Sequence, residues 1–416
     1  MEYKLEFAKT HMKVAIDDQN LLGVLHANEV DVKLTGAQEV RRALENPIGT
    51  KKLQDLVKPG EKIVIITSDI TRPLPSKVII PCILEGLTGA GVKDEDVTIV
   101  FALGCHRNHT EEEKKYLVGE GVYNRIKCID SDMKDFVHFG YTENGTPIDI
   151  FTPVAKADRR ICVGNIEFHY FAGYSGGAKA IMPGVSTRGA IQANHSRMVD
   201  EKAHAGNLNT NPVRNDIEAT IPFVPIDFIV NVVLNEQKEI INAVAGHYIE
   251  AHREGCNFLD SFYKIGIKEK ADIVITCAGG FPKDLNMYQA QKALDNAKHA
   301  VKKGGIIILV ASCKEGLGEE VFEEWILGAE KSEELIERVK ADFKLGGHKA
   351  AAIAMVLQNS RVFLVSDLEP DFVKKIFLEP YGDIQDAYEQ ALEILGSHAK
   401  VILIPHGGSI LPVLTL

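Results

Sequence analysis

The feature that most restricts how this chain can fold is a repeated alternation of short apolar runs, polar loops and helical stretches. Runs rich in Ile and Val occupy residues 62–67, 97–102, 160–163, 226–234, 272–276, 305–311, 361–365 and 400–404. Such segments suit the interior strands of parallel sheets, which are buried on both faces. A strand, loop and helix repeated in this way implies right-handed crossovers and an α/β fold. At 416 residues the chain is too long for one typical domain. Glycine and charge interrupt the apolar periodicity at residues 264–270. We therefore expect two α/β domains with mostly parallel sheets, an N-terminal one over residues 1–265 and a Rossmann-like C-terminal one over 266–416. Residues 1–58 propose no chemistry, with a single helix expected over 38–56, and Asn144–Gly145 reads as a structural hairpin turn.

In open α/β sheets ligands bind beyond the carboxyl ends of the strands, so the loops there carry the search for function. Residues 68–73, SDITRP, follow the first run, and Arg72 suits either an ion pair with Asp69 or a substrate carboxylate oriented by it. Residues 104–110, GCHRNHT, follow the second, with Thr110 and Glu113 forming a capping box and His106 just before it, a solvated or a functional histidine. Residues 164–195 then concentrate unlike groups: His169, the glycines Gly173, Gly176 and Gly177 around Ser175, Lys179, a Pro183–Gly184 break, and His195. Glycines there allow backbone N–H groups to approach an anion, and a helix starting near Ala178 would add its positive end, which reads as a phosphate cradle. The P-loop spacing fails, and Ala180 stands where Ser or Thr would hold magnesium. In the C-terminal part Tyr288, Gln289 and Lys292 fall near a helix start, where ordinary surface polarity also explains them. His247 and His252, five residues apart, fall on different helix faces and read as surface residues.

Bulk properties remove several classes. The net charge of −11 opposes a general nucleic-acid binder, and no apolar run approaches a membrane span of about 20 residues. The seven cysteines are scattered without a C-x-x-C pair, and the N-terminal residues lack a signal-type apolar core, so a cytoplasmic protein with reduced thiols is expected.

With these motifs in order, SDITRP at 68–73, GCHR at 104–107, NIEFHYFAGYSGGAKAIMPG at 165–184, NH at 194–195 and GGFPKDLNMYQAQK at 279–292, the chain resembles the nickel-dependent lactate racemase family over nearly its whole length. The resemblance implies two α/β domains with the active site in the cleft between them and a nickel pincer nucleotide as cofactor. It implies that Lys179 can join the nucleotide covalently and that His195 is the protein ligand to nickel, consistent with nickel's planar N and S coordination. His106 and His169 become the paired acid/base residues. Gly173, Ser175, Gly176 and Gly177 become groups around the cofactor phosphate, Asp69 and Tyr288 cofactor contacts, and Arg72, Gln289 and Lys292 substrate contacts. The implied reaction is racemisation of a small, lactate-type 2-hydroxy acid, with cofactor-synthesis proteins as partners. Two histidines of ordinary pKa near 6.5 can exchange acid and base roles at neutral pH, as a racemase requires. The rivals are a racemase of a larger or dicarboxylic 2-hydroxy acid, a non-catalytic binder of the nucleotide, and a divalent-metal hydrolase. The last lacks any H-x-x-x-H or carboxylate ligand set.

Overall fold

The computed structural model describes residues 1–235 and 237–415. It is an α/β protein whose contacts divide the chain into two compact units, Val30–Ser261 and a discontinuous one combining Met1–Glu29 with Phe262–Leu416. The expected boundary near 265 lies close to the observed one, but residues 1–29 belong with the C-terminal part rather than with the N-terminal domain. The reason is apolar pairing. Glu2–Phe7 and Thr10–Ala15 form an antiparallel hairpin, and its Leu5, Phe7 and Val14, with Ile16, are buried against Ile273, Ile308 and Phe363.

The unit Val30–Ser261 is built on a six-stranded sheet in the order Ile240–Gly246, Phe228–Leu234, Arg159–Asn165, Ile63–Ser68, Val97–Ala102, Lys127–Asp130. All neighbours are parallel except the first pair. From Ile63–Ser68 the chain first builds outward through Val97–Ala102 and Lys127–Asp130, then returns to the other side with Arg159–Asn165. The order therefore reverses between Ile63–Ser68 and Arg159–Asn165, and loops after strands that diverge this way leave a crevice for ligands. Ile63, Ile65, Ile79, Ile83, Ile99, Phe101 and Ile161 lie in one continuous core. The expected single helix over 38–56 is instead Gly36–Glu45, a break, and the short turn Leu53–Leu56. Pro47 cannot continue the helical hydrogen bonding and restricts Asn46, and Ile48 instead bridges Gly246.

The discontinuous unit has a fully parallel six-stranded sheet in the order Glu379–Tyr381, Ser360–Val365, Val301–Val310, Ala271–Cys277, Val401–Ile404, Leu21–Val24. Its order reverses beside Ala271–Cys277, whose following loop leads to the helix Met287–Ala297. No helix of the described residues is long and apolar enough to cross a membrane, and all seven cysteines are free.

Candidate active site

The loops at the first unit's switch point hold most of the chemistry. Directly after Ile63–Ser68, Asp69 is only 3% exposed. Its Oδ1 accepts the Thr71 N–H at 2.6 Å and its Oδ2 lies 2.8 Å from His106 Nδ1. Burial pushes the Asp69 carboxyl up, but the hydrogen bond and charge of His106 and the Thr71 contacts outweigh it and hold it below the usual carboxylate range. An ionised Asp69 can only accept, so Nδ1 of His106 carries a proton, and whenever the ring is neutral its lone pair is on Nε2. The pairing of Asp69 with Arg72 allowed by the sequence is not formed: among the described residues the carboxylate is engaged by His106 and Thr71. The loop is pinned from beneath by His109, whose Nε2 accepts the Ile70 N–H at 3.0 Å while Nδ1 meets Asp130 at 2.7 Å. The capping box at Thr110 and Glu113 is present and starts the helix Glu111–Val118.

The second loop carries His169 and Lys179, which with His195 at the end of the helix Arg188–His195 surround the buried ring of Phe171. The His169 and His195 rings lie 4.5 and 4.9 Å from it, centroid to centroid, and Lys179 Nζ is 5.8 Å from its centre. Both His169 and Lys179 retain some accessible area, yet each is densely surrounded by protein. Burial leads in pulling His169 well below the usual imidazole value, followed by the charges of Lys179, His195, Arg72 and Arg214. Burial also pulls Lys179 well below the usual amine value, aided by Arg214 and Arg72 and opposed by Glu167. The Ala172 N–H donates to His169 Nδ1 at 3.2 Å, so the neutral ring holds its proton on Nε2. As neutral rings the two histidines therefore take opposite tautomers, with a lone pair at His106 Nε2 and an N–H at His169 Nε2.

The glycine-rich loop is shaped from inside. Arg214, fully buried, donates to the carbonyls of Ala172, Gly176 and Tyr174, and burial pushes its guanidinium down to about 10. His252 donates from Nε2 to the Ser175 carbonyl at 2.8 Å. Far from being a surface residue, His252 is fully buried, because it continues the inner stripe of the helix Glu250–Tyr263 that includes Cys256, Leu259 and Tyr263. A side chain at Gly173 would strike the Asn207 carbonyl, and one at Gly177 would meet the His252 ring at 3.0 Å. The Ser175 N–H goes to Glu167 O at 2.9 Å and the Gly177 N–H to Asn231 Oδ1 at 2.8 Å. The Ser175 hydroxyl donates to Asn165 O at 2.7 Å. The expected helix after this loop is one 3₁₀ turn, Gly177–Ala180. The glycines are therefore required by packing, and two of the amides expected to cradle a phosphate already serve the protein.

In the other unit, Asn286 caps the helix Met287–Ala297 by accepting the Gln289 N–H. Gln289 and Lys292 are exposed on its first turns and Tyr288 is half-buried. Lys349, on the helix Gly347–Leu357, sits 3.9 Å over the Tyr288 ring and donates to the Tyr288 carbonyl. Sequence reasoning does not single out Arg214, His109 or Lys349, and it places His252 on the surface. Each is a polar residue in a helix or loop, and its burial, which no local pattern records, is what distinguishes it.

Comparison with known proteins adds the following. The family model for the lactate racemase N-terminal domain matches residues 7–206, and the model for the lactate racemase C-terminal domain matches residues 267–412. A lactate racemase of Thermoanaerobacterium thermosaccharolyticum is 34% identical over 98% of both chains. Another from Lactiplantibacillus plantarum is 35% identical over 97% of both. The solved structure of the T. thermosaccharolyticum lactate racemase apoprotein superposes with a TM-score of 0.90 at 33% identity, covering 99% of this chain and 100% of that one. A Thermotoga maritima protein, at 18% identity and a TM-score of 0.65 over 92% of this chain, shares the fold.

Proposed function

The chain belongs to the lactate racemase family, and from that premise we propose that it interconverts the enantiomers of lactate or a closely related small 2-hydroxy acid with a nickel pincer nucleotide bound beside Lys179 and His195. The observation that carries the reading is the pair of histidines with opposite ring states, one backed by a carboxylate and one by a backbone N–H. The donor set fits the metal end of such a group. His195 is an imidazole of the kind nickel accepts, and Lys179 is an amine that burial pulls well below its usual value, which favours the nucleophilic free base. The fit of the phosphate end to Gly173, Ser175, Gly176 and Gly177 rests on the family resemblance alone.

The bound nucleotide would supply the acceptor and donor for the substrate's α-hydrogen, transferred as hydride. The chain's own residues would do the rest. Arg72, whose charge reaches His169 and Lys179, would hold the substrate carboxylate, and the family resemblance makes Gln289 and Lys292 further substrate contacts and Tyr288 a nucleotide contact. His106 Nε2 would remove the hydroxyl proton of one enantiomer, and the imidazolium so formed stays paired with Asp69. His169 would serve the other enantiomer's oxygen. To accept a proton at Nε2, His169 must first carry its own on Nδ1, giving up the Ala172 hydrogen bond.

Stoichiometric holoprotein mixed with each pure enantiomer tests this through the 2-keto acid formed. His106→Ala should abolish keto acid from one enantiomer and spare the other, and His169→Ala should do the reverse, while steady-state racemisation falls comparably in both directions for each variant. Equal loss from both enantiomers in both variants would show that the histidines organise the site without dividing the proton work. A panel of larger and dicarboxylic 2-hydroxy acids in the same assay separates the substrate classes, and absence of turnover with all of them would favour a carrier. Full nickel occupancy in His195→Ala would remove that residue as the ligand.

A further inference from the structure

His195 is the last residue of the helix Arg188–His195 and is 7% exposed. Its Nδ1 lies 2.9 Å from Oδ1 of the preceding residue, Asn194, which is fully buried. An amide can present either its oxygen or its NH₂ to a neighbour, so the orientation must be fixed by its other partners. Here both are acceptors: Asn194 Nδ2 donates to the Val213 carbonyl at 3.2 Å and to Asp216 Oδ2 at 2.9 Å. Asp216 is itself fully buried and receives only donors, the hydroxyls of Thr142 and Thr146 at 2.6 Å each and the Asn144 amide at 3.3 Å, with Arg197 Nε 3.9 Å away. A carboxylate so supplied is an acceptor at every position. It therefore takes the Asn194 NH₂, turns Oδ1 toward the imidazole, and requires the proton of neutral His195 to sit on Nδ1.

We propose that Asn194 is a positioning residue which, oriented by Asp216, fixes His195 in the Nδ1–H tautomer and so offers the Nε2 lone pair to nickel. This rests on the assignment of His195 as the metal ligand made above. Metal-binding imidazoles are commonly oriented by a hydrogen bond from the other ring nitrogen, and loss of such a partner weakens metal affinity about 10- to 100-fold. The Thr142, Asn144 and Thr146 contacts come from the hairpin that the sequence suggested was merely structural. They make it the outer support of this chain of contacts.

The tautomer can be read on the apoprotein, with no nickel present, by ring-¹⁵N histidine spectra in which the His195 signal is identified by its absence from His195→Gln. Wild type should show Nδ1–H with Nε2 unprotonated. Asn194→Ala should shift the ring toward the Nε2–H form while amide spectra show the fold retained. Asn194→Asp, which keeps an oxygen acceptor at the same place, should preserve Nδ1–H and keeps the test decisive if the alanine variant does not fold. An Nε2–H ring in wild type, an unchanged tautomer in folded Asn194→Ala, or loss of Nδ1–H in folded Asn194→Asp would overturn the proposal. Nickel retention by the corresponding holoproteins then separates the two readings. A tautomer shift with about 10- to 100-fold weaker retention supports both, whereas the same shift with retention unchanged leaves the positioning role standing and removes His195 as the ligand.

Discussion

Asp69 commits both carboxylate oxygens to the His106 side of the site, and its acid behaviour follows from that. Its pKa is lower folded than unfolded, so it contributes stability in full above about pH 4, where the unfolded carboxyl is ionised, and loses that contribution as pH falls through the folded value. In urea titrations, the midpoint difference between wild type and Asp69→Asn should be clear at pH 7 and shrink as pH falls through the lowered folded value. Turnover at pH 7 should fall on the order of 10²–10⁴-fold in Asp69→Asn, because the amide can favour the wrong His106 tautomer. A pH-independent stability difference would show that Asp69 does not act through its charge. Lys179 has the opposite character. An amine held well below its usual value is neutral where the unfolded chain is charged, so it costs stability at every pH below about 10. Lys179→Met should raise the apoprotein Tm, by roughly 2–4 °C for each ~1 kcal/mol recovered. An unchanged or lower Tm would mean the amine is charged or well compensated. His106, His169 and Lys179 were legible as candidates in the sequence because they fall in glycine-rich or strand-end loops, where side chains of that kind have few structural duties, whereas His195, at the end of the helix Arg188–His195, was marked as a ligand only by the family resemblance. Arg214 and Asp216 were not legible, since charged residues on a helix such as Pro212–Glu218 look the same whether the helix lies in solvent or underneath a site.

Strands were the most legible elements. The apolar runs at 97–102 and 361–365 fall on Val97–Ala102 and within Ser360–Val365, because strands buried on both faces need no periodic signal beyond continuous apolarity. The loop at 173–177 was legible as an unusual place but not in its workings. Its glycines read as room for a ligand, whereas the structure fills the space beside Gly173 with the Asn207 carbonyl and that beside Gly177 with His252. Gly173 has φ +78°, so Gly173→Ala combines backbone strain with a clash against main chain that cannot rotate away. We expect a loss of about 2–4 kcal/mol in chemical denaturation. Near-neutral behaviour would mean that the loop can re-form around a side chain and leaves its amides available to an anion after all.

The division of the whole molecule was only half legible. The boundary near residue 265 showed as a lapse in apolar periodicity, but nothing local records that the strand Leu21–Val24 pairs with Val401–Ile404. Pairing partners that far apart leave no short-range pattern. If the contact division reflects independent cores, residues 30–261 expressed alone should unfold cooperatively in urea, and residues 262–416 alone should not until a 1–29 peptide is added. Cooperative folding of 262–416 by itself would show the N-terminal segment to be an accessory layer.

The same arrangement has a consequence for synthesis on the ribosome. Asn20 donates to the Ala399 carbonyl across 379 positions of sequence, so at about 5–20 residues per second the N-terminal strand waits roughly 20–80 s for its neighbour to be made. In roughly the last third of that interval residues 30–261 are already made, while Leu5, Phe7, Val14 and Ile16, all destined for a core, still lack most of their partners. A ribosome stalled beyond residue 261 would therefore carry a chain with one finished unit and one adhesive arm, a ready substrate for chaperones and proteases.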